Sequence, residues 1–342
     1  MLNAAVLTMF PVLYFFSWLY YTDPGSTCFT LLMFSFCLSR QHLPAALMGC
    51  VAIMFRQTNI VWVLFCTGMV KDDVLEEYVR SKKRGRVNLK SLPDLEQFKV
   101  IMKYVFESQL SVFMVGKRIF LNSYWYGCVI LCFAIFVFVN KGIVVGDRSN
   151  HQAVLNCPQV FYFLAISGAF SIVHLISTCK IKRFMLAIRA NPIKLAVLVS
   201  LMVVLVRLFT YEHKYTLSDN RHYTFYVWSK IYRRNEFIRY ALIPGYIYCL
   251  YQFYCLTLHK GLVWRLTMLV CTVAVLVPQA LFEFRYYIIP FYLIRLNMPL
   301  PCSKLLFVEL ILYSIINAFT VYMFVQKTFS WPDELSPQRF MW

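Results

Sequence analysis

The stretch NPIKLAVLVSLMVVLVRLFTYEHKYTLSDNRHYTFYVW, residues 191–228, changes character sharply in its middle. A membrane helix needs about 20 predominantly apolar residues, so 191–210 reads as a span. Arg207 near its end can reach back to the interface. The next run, 212–228, holds two His, one Arg, one Lys, two acids, three Tyr and one Trp. So much acid and base directly beside a span is costly against lipid and points to a site. The plainer reading is an aromatic belt at the membrane boundary. The sequence Asp219-Asn220-Arg221-His222-Tyr223, with His213 upstream, is more than anchoring requires.

The rest of the 342 residues extends this reading. Hydrophobic residues make up 60% of the chain and charged residues only 15%, well below the roughly 25% of a soluble domain. The composition is that of an all-α polytopic membrane protein with about nine spans in one embedded domain, 1–342. The formal net charge is +18. In a soluble chain that would raise nucleic acid as a partner. Here basic residues collecting in cytoplasmic loops explain it better, and no nucleic acid is expected.

Working outward along the chain, 2–21 reads as one span kinked at Pro11, and 25–39 as a short second one. The apolar run 43–70 is interrupted by Arg56-Gln57-Thr58-Asn59, which marks a helix break or places Arg56 in a cavity. Residues 71–118 are rich in charge, with KKRGR at 82–86, and read as a cytoplasmic charged loop. Alternation of spans then puts 211–239 on the non-cytoplasmic face as a polar loop. Only nine apolar residues separate Arg285 from Arg295. That is too short to span, so 283–302 reads as an interfacial or re-entrant segment on the same face. Residues 327–342 read as a cytoplasmic tail. No internal repeat is evident.

Twelve cysteines occur without any Cys-x-x-Cys, which argues against a zinc site or a disulfide framework. Cys157 and Cys302 are the one pair placed together on the non-cytoplasmic side, where a bridge could form. The spacing of His213 and His222 fits no standard zinc site, and no protein-bound metal is expected.

Three polar groups share the non-cytoplasmic face in this topology: Asp147-Arg148 with His151, the 212–228 run, and Glu283 with Arg285. Local ion pairs would account for the first and third. A lipid-linked phosphate would need such a ring, with Arg and His holding the phosphate and an acid deprotonating an acceptor hydroxyl. The candidates are Arg221, His222, Arg285, Arg148, His151 and Arg56 for phosphate. Tyr223, Tyr226, Trp228 and Asn220 are candidates for sugar or lipid, and Asp147, Asp219 and Glu283 for carboxylate roles. No residue is assigned as the catalytic base.

HKYTLSDNRHYTFYVW (213–228) resembles the endoplasmic-reticulum family of dolichyl-phosphate-glucose α-1,2-glucosyltransferases. So do FPVLYFFSWLYYTDPGS (10–26), FRQTNIVW (55–62), GIVVGDRSNH (142–151), VPQALFEFRYYIIPFYLIRLNMPLP (277–301) and QRFMW (338–342). The resemblance covers essentially the whole chain. It implies a multispanning GT-C type transferase of the endoplasmic-reticulum membrane. Such an enzyme adds the terminal glucose of the lipid-linked N-glycan precursor, with inversion. Its donor is dolichyl phosphate glucose and its acceptor a diglucosylated oligosaccharide on dolichyl diphosphate, with no cofactor beyond the donor. The family's acidic first luminal loop, Tyr-Met-Asp-Glu-Ile-Phe-His, has no counterpart here. The expectation is therefore a family member lacking its N-terminal part, in which Asp147, Asp219 and Glu283 position substrate. The alternative is a non-catalytic membrane partner of another membrane protein, such as an ion channel.

Overall fold

A computed structural model describes residues 1–83, 88–145, 153–332, 334 and 336–342. Among the described residues, three helices are long and apolar enough to cross a membrane: Gln109–Asn140, Pro192–Phe209 and Ser303–Gln326. His42–Phe55, Gln159–Phe170 and Leu262–Leu276 are shorter apolar helices. Other expected spans are present as helices in broken pieces.

The chain divides into two compact units, one of Met1–Asp23, Gln152–Leu256 and Leu276–Trp342, the other of Pro24–His151 and Thr257–Val275. In the first unit, the expected single span 2–21 is two helices, Leu2–Thr8 and Pro11–Ser17. Pro11 occupies the first turn of the second helix, where a missing N–H costs nothing. The carbonyls freed at the break are taken up from elsewhere in the unit. Asn317 Nδ2 donates to the Met9 carbonyl at 2.9 Å, and the Tyr292 hydroxyl to that of Leu7 at 2.6 Å. Likewise Gln159–Phe170 ends one residue before Ile172–Leu175, and the Tyr313 hydroxyl donates to the Phe170 carbonyl at 2.9 Å. In lipid every such group needs an internal partner. A core of Phe161, Met202, Val206, Ile243, Tyr246 and Ile247 joins Pro192–Phe209 to Gln159–Phe170 and Ile243–Leu256.

In the second unit the break expected near Arg56 is present. His42–Phe55 and Ile60–Lys82 flank a 3-10 turn, Gln57–Asn59, and Arg56 is extended. Asn59 Nδ2 bridges it, donating to Ser26 Oγ and the Ala52 carbonyl, both at 2.7 Å. The 71–118 segment is mostly helix rather than loop. Ile60–Lys82 runs on through its acids, Asp94–Val105 begins with Asp94 and Glu96 in its first turn, and Gln109–Asn140 starts before the apolar run. Acids in a first turn suit the positive end of the helix, a local signal that a reading by charge alone passes over.

Three further expectations are corrected. The residues 327–342 do not lie across the membrane from 211–239. Thr328–Phe329 pairs antiparallel with Gln338–Arg339, and Met341 forms a bridge with His222. Segments so joined share one face.

Nor does 283–302 lie along one interface. The Arg339 guanidinium donates to the carbonyls of Phe324 and Val325 in the last turn of Ser303–Gln326. Arg295 pairs with Glu309 in the same helix. At 1.5 Å per residue, Glu309 lies about 25 Å from that helix's end, so the chain from Glu283 descends along it. The sequence reading failed because Arg295 is 1% exposed and neutralised by Glu309 rather than sitting at an interface. Cys157 and Cys302 are both free, as are all the other cysteines.

Candidate functional site

A cavity of about 660 Å³ opens in the first unit. One wall is Tyr215, Thr216, Ser218, Asp219, Arg221, His222 and Thr224; Leu281, Phe282 and Glu283 form a second, and Trp331 with Pro332 a third.

The 212–228 run supplies the first wall through short elements. His213 caps the five-residue helix Lys214–Ser218, its Nδ1 accepting from the Tyr215 N–H at 3.2 Å. That gives His213 a structural role. Asp219 then closes an Asx-type turn, accepting from the Arg221 backbone N–H at 3.1 Å. The same carboxylate takes the Arg221 guanidinium by two bonds, Nε to Oδ1 at 2.9 Å and Nη2 to Oδ2 at 2.8 Å. Such a bidentate fork fixes the guanidinium plane. Burial pushes the Asp219 carboxyl up, but the Arg221 bonds and the nearby His222 outweigh it and hold it below the usual aspartate value. The Arg221 guanidinium is raised by the same pairing.

His222 follows, its Nδ1 2.8 Å from the Trp342 main-chain oxygen and its Nε2 3.7 Å from Asp219 Oδ2. Tyr223–Tyr226 is a single helical turn and Val227–Tyr232 is π-helical, a distortion often found at functional sites. Trp228, 1% exposed, packs on Tyr232 and Phe282, with the Arg239 guanidinium 5.3 Å from its ring.

Not every candidate residue reaches the cavity. Asp219, Arg221, His222 and Glu283 line it. Arg285 stands behind Glu283: it pairs with that carboxylate and with Asp23, and stacks on Tyr21 and Phe16. Asn220 accepts from Trp331 Nε1 at 2.7 Å. Tyr223 packs edge-on against Trp342 and burial pushes its hydroxyl up to about 12. Tyr226 packs on Phe225 and Phe340, and Trp228 is an anchor of the fold. These aromatic side chains hold the wall in place instead of forming its surface. Arg56 belongs to the second unit. Asp147, Arg148 and His151 lie outside the described residues.

The sequence reading missed Trp331 and Pro332 altogether. The terminal QRFMW had already stood out as part of the family resemblance. The span count alone had sent it to the opposite face.

Comparison with known proteins bears on what this cavity serves. The model of the DIE2/ALG10 family matches residues 1–296. A rat protein (Rattus norvegicus) is 41% identical over 345 residues, covering all of this chain and 72% of its own length. A human protein shows the same identity and coverage. A Drosophila melanogaster protein is 35% identical, covering 99% of this chain and 75% of its own. All three are named Dol-P-Glc:Glc(2)Man(9)GlcNAc(2)-PP-Dol alpha-1,2-glucosyltransferase. No solved structure matches.

Proposed function

The chain belongs to the DIE2/ALG10 family, and on that premise we propose that it transfers glucose from dolichyl phosphate glucose to the diglucosylated oligosaccharide on dolichyl diphosphate. The product is the terminal α-1,2-linked glucose of the lipid-linked precursor for N-glycosylation. The observation that carries this reading is 41% identity along the whole chain to relatives named for that reaction. The protein is a multispanning membrane glucosyltransferase, and the reading places it in the endoplasmic reticulum with the 211–239 face luminal. The terminal residues 327–342 face the lumen with it, since they are bonded to that segment.

The cavity suits a sugar phosphate. A direct displacement that inverts the β-linked donor needs positive charge where the phosphate departs. Arg221 is the permanent cation of the cavity wall and takes that place, with His222 beside it as a hydrogen-bonding partner. Asp219, held ionised by its fork, orients Arg221 and is a poor proton acceptor. Glu283, fixed by Arg285, accepts hydroxyl hydrogens from the sugar. The donor carries its own activated sugar, so the reading calls for no separate cofactor.

The test is direct. Microsomes from cells that lack this step and express the chain are given radiolabelled dolichyl phosphate glucose, and the released oligosaccharides are resolved by chromatography. The expected result is conversion of the diglucosylated species to the triglucosylated one. Membrane-inserted protein with the diglucosylated species unchanged would overturn the reading.

A further inference from the structure

The cavity's cationic wall is built from helices of five and four residues. Helices that short do not hold themselves in water, because nucleation costs more than one turn returns. Their geometry must come from outside, and the terminal residues supply it. The Met341 N–H donates to the Arg221 carbonyl at 2.9 Å, and the Tyr223 N–H donates to the Met341 carbonyl at 3.0 Å. These two bonds bracket His222. Trp331 lies with its ring 4.9 Å from the Arg221 guanidinium carbon, while its indole N–H is tied to Asn220. Gln338 Oε1 accepts from Arg221 Nη1 at 3.4 Å. Trp342 wedges its own ring between Tyr223 and Phe284, with centroids 5.4 Å from each.

We propose that the terminal strap, 327–342, is the positioning element of the phosphate-binding pair. Trp331 carries the guanidinium of Arg221 on its ring, and the Met341–Trp342 main chain sets the ring of His222.

The second half follows from hydrogen-bond polarity. A main-chain oxygen can only accept, so His222 Nδ1 carries the hydrogen of the 2.8 Å contact with Trp342. The tautomer is thereby fixed. Nε2, at 3.7 Å from Asp219 Oδ2 and so beyond a hydrogen bond to it, is the nitrogen left for substrate. When the ring is neutral it accepts from a hydroxyl, and when charged it donates to a phosphate oxygen. The first half follows from the guanidinium's shape. Asp219 takes one edge of the fork and Trp331 one face. Gln338 Oε1 takes one hydrogen of Nη1, so what remains for a phosphate is the second hydrogen of each terminal nitrogen, in the plane that Trp331 and Asp219 fix. Stacking of this kind contributes through the ring quadrupole and grows as water is removed.

The proposal rests on the glucosyltransferase reading, so its test compares variants of a chain already seen to transfer glucose. If the unaltered chain transfers none, the reading fails and not the strap. Trp331→Ala is expected to raise the KM for dolichyl phosphate glucose roughly five- to thirty-fold, in line with loss of a cation–π contact of this class. The KM for the diglucosylated acceptor should stay within about twofold of the unaltered chain. Trp331→Phe keeps the stacking ring and loses the indole N–H, and should restore most of the donor KM. Met341→Pro removes the N–H that bonds Arg221 without touching any charge, and should raise the donor KM in the same way. Gln338→Ala, at the edge of the strap, guards against a misfolded Trp331→Ala protein and should give a smaller shift of the same kind. Equal changes in donor and acceptor KM, or a Phe variant as impaired as the Ala variant, would overturn the proposal. So would unchanged kinetics in folded Trp331→Ala and Met341→Pro proteins.

Discussion

Removing the carboxylate of Glu309 tests whether the interior of the first unit is understood. Glu309 is 0% exposed and Arg295 1%. Arg295 donates to it through Nη2 at 2.8 Å and Nε at 3.3 Å. His174 Nε2 is 2.8 Å away, and the Tyr313 hydroxyl oxygen lies 3.3 Å from it. Glu309→Ala leaves a guanidinium in the interior with no counter-charge, at a cost of about 3–5 kcal/mol. At roughly 2–4 °C per kcal/mol, the thermal midpoint should drop on the order of 10 °C. The paired variant Arg295→Met with Glu309→Leu replaces both charges with apolar side chains of similar length. An apolar exchange of a buried pair is often close to neutral, so the double variant should recover most of the loss. Intrinsic tryptophan fluorescence of the purified protein in nanodiscs during heating would read both, since Trp228 is buried in the same unit. A single variant losing less than about 1 kcal/mol would mean the pair behaves as an exposed one. A double variant as unstable as both singles added together would mean the charges contribute independently. Either result refutes the argument.

Other expectations follow from the cavity and the packing. Arg221→Ala and His222→Ala should each lower glucosyl transfer about a hundredfold or more, the usual loss for one preorganised donor at a developing charge. Arg189→Ala, on an exposed helix away from the cavity wall, should leave transfer unchanged in the same microsomal assay. Asp219 sits below its ordinary value in the folded protein. Its stabilising effect is therefore complete above about pH 4 and disappears only as the pH falls through the lower folded value. Asp219→Asn should flatten the acid side of a midpoint-against-pH curve. Asp72 carries the opposite sign. Burial raises it to about 6 despite Lys90 nearby, so it costs stability as pH rises from about 4 to about 6. Asp72→Asn should accordingly help more at pH 7 than at pH 4 in the same melts. A Cβ on Gly68 would lie 2.3 Å from Thr267 Cγ2, and the Thr267 hydroxyl is tied to the Val263 carbonyl. Gly68→Ala should cost about 1–3 kcal/mol. Gly116→Ala, with nothing within 4 Å, should be neutral or mildly stabilising by thermal melt.

The membrane class and the polar run at 212–228 were legible in the sequence because both rest on composition within one segment. The 191–210 span is helix Pro192–Phe209, close to where hydropathy puts it. What was not legible depended on pairing across the chain. Arg295 reads as an interfacial charge until Glu309, fourteen residues on, neutralises it. Trp331 reads as tail until its ring is found against Arg221. Tyr223, Tyr226 and Trp228 read as substrate contacts because aromatic side chains serve both surfaces and cores, and only packing separates the two uses. One mistaken turn at 283–302 reversed the face assigned to everything after it, since alternation of spans carries each error forward.

The broken first helices have a consequence for how the protein is made. The Met9 carbonyl, left open where the chain leaves the helix at Phe10, finds its partner in Asn317, 308 residues later. Ribosomes add about 5–20 residues per second, so the two groups are synthesised roughly 15 to 60 s apart. Through that interval the opening at Met9 cannot face bare hydrocarbon without cost. The segment 1–23 therefore has reason to linger beside water, the insertion machinery or a membrane chaperone until Ser303–Gln326 arrives. Biogenesis of the first unit is thus governed by its last helix, and variants at Asn317 should show as slow maturation and early degradation before any defect in the finished enzyme.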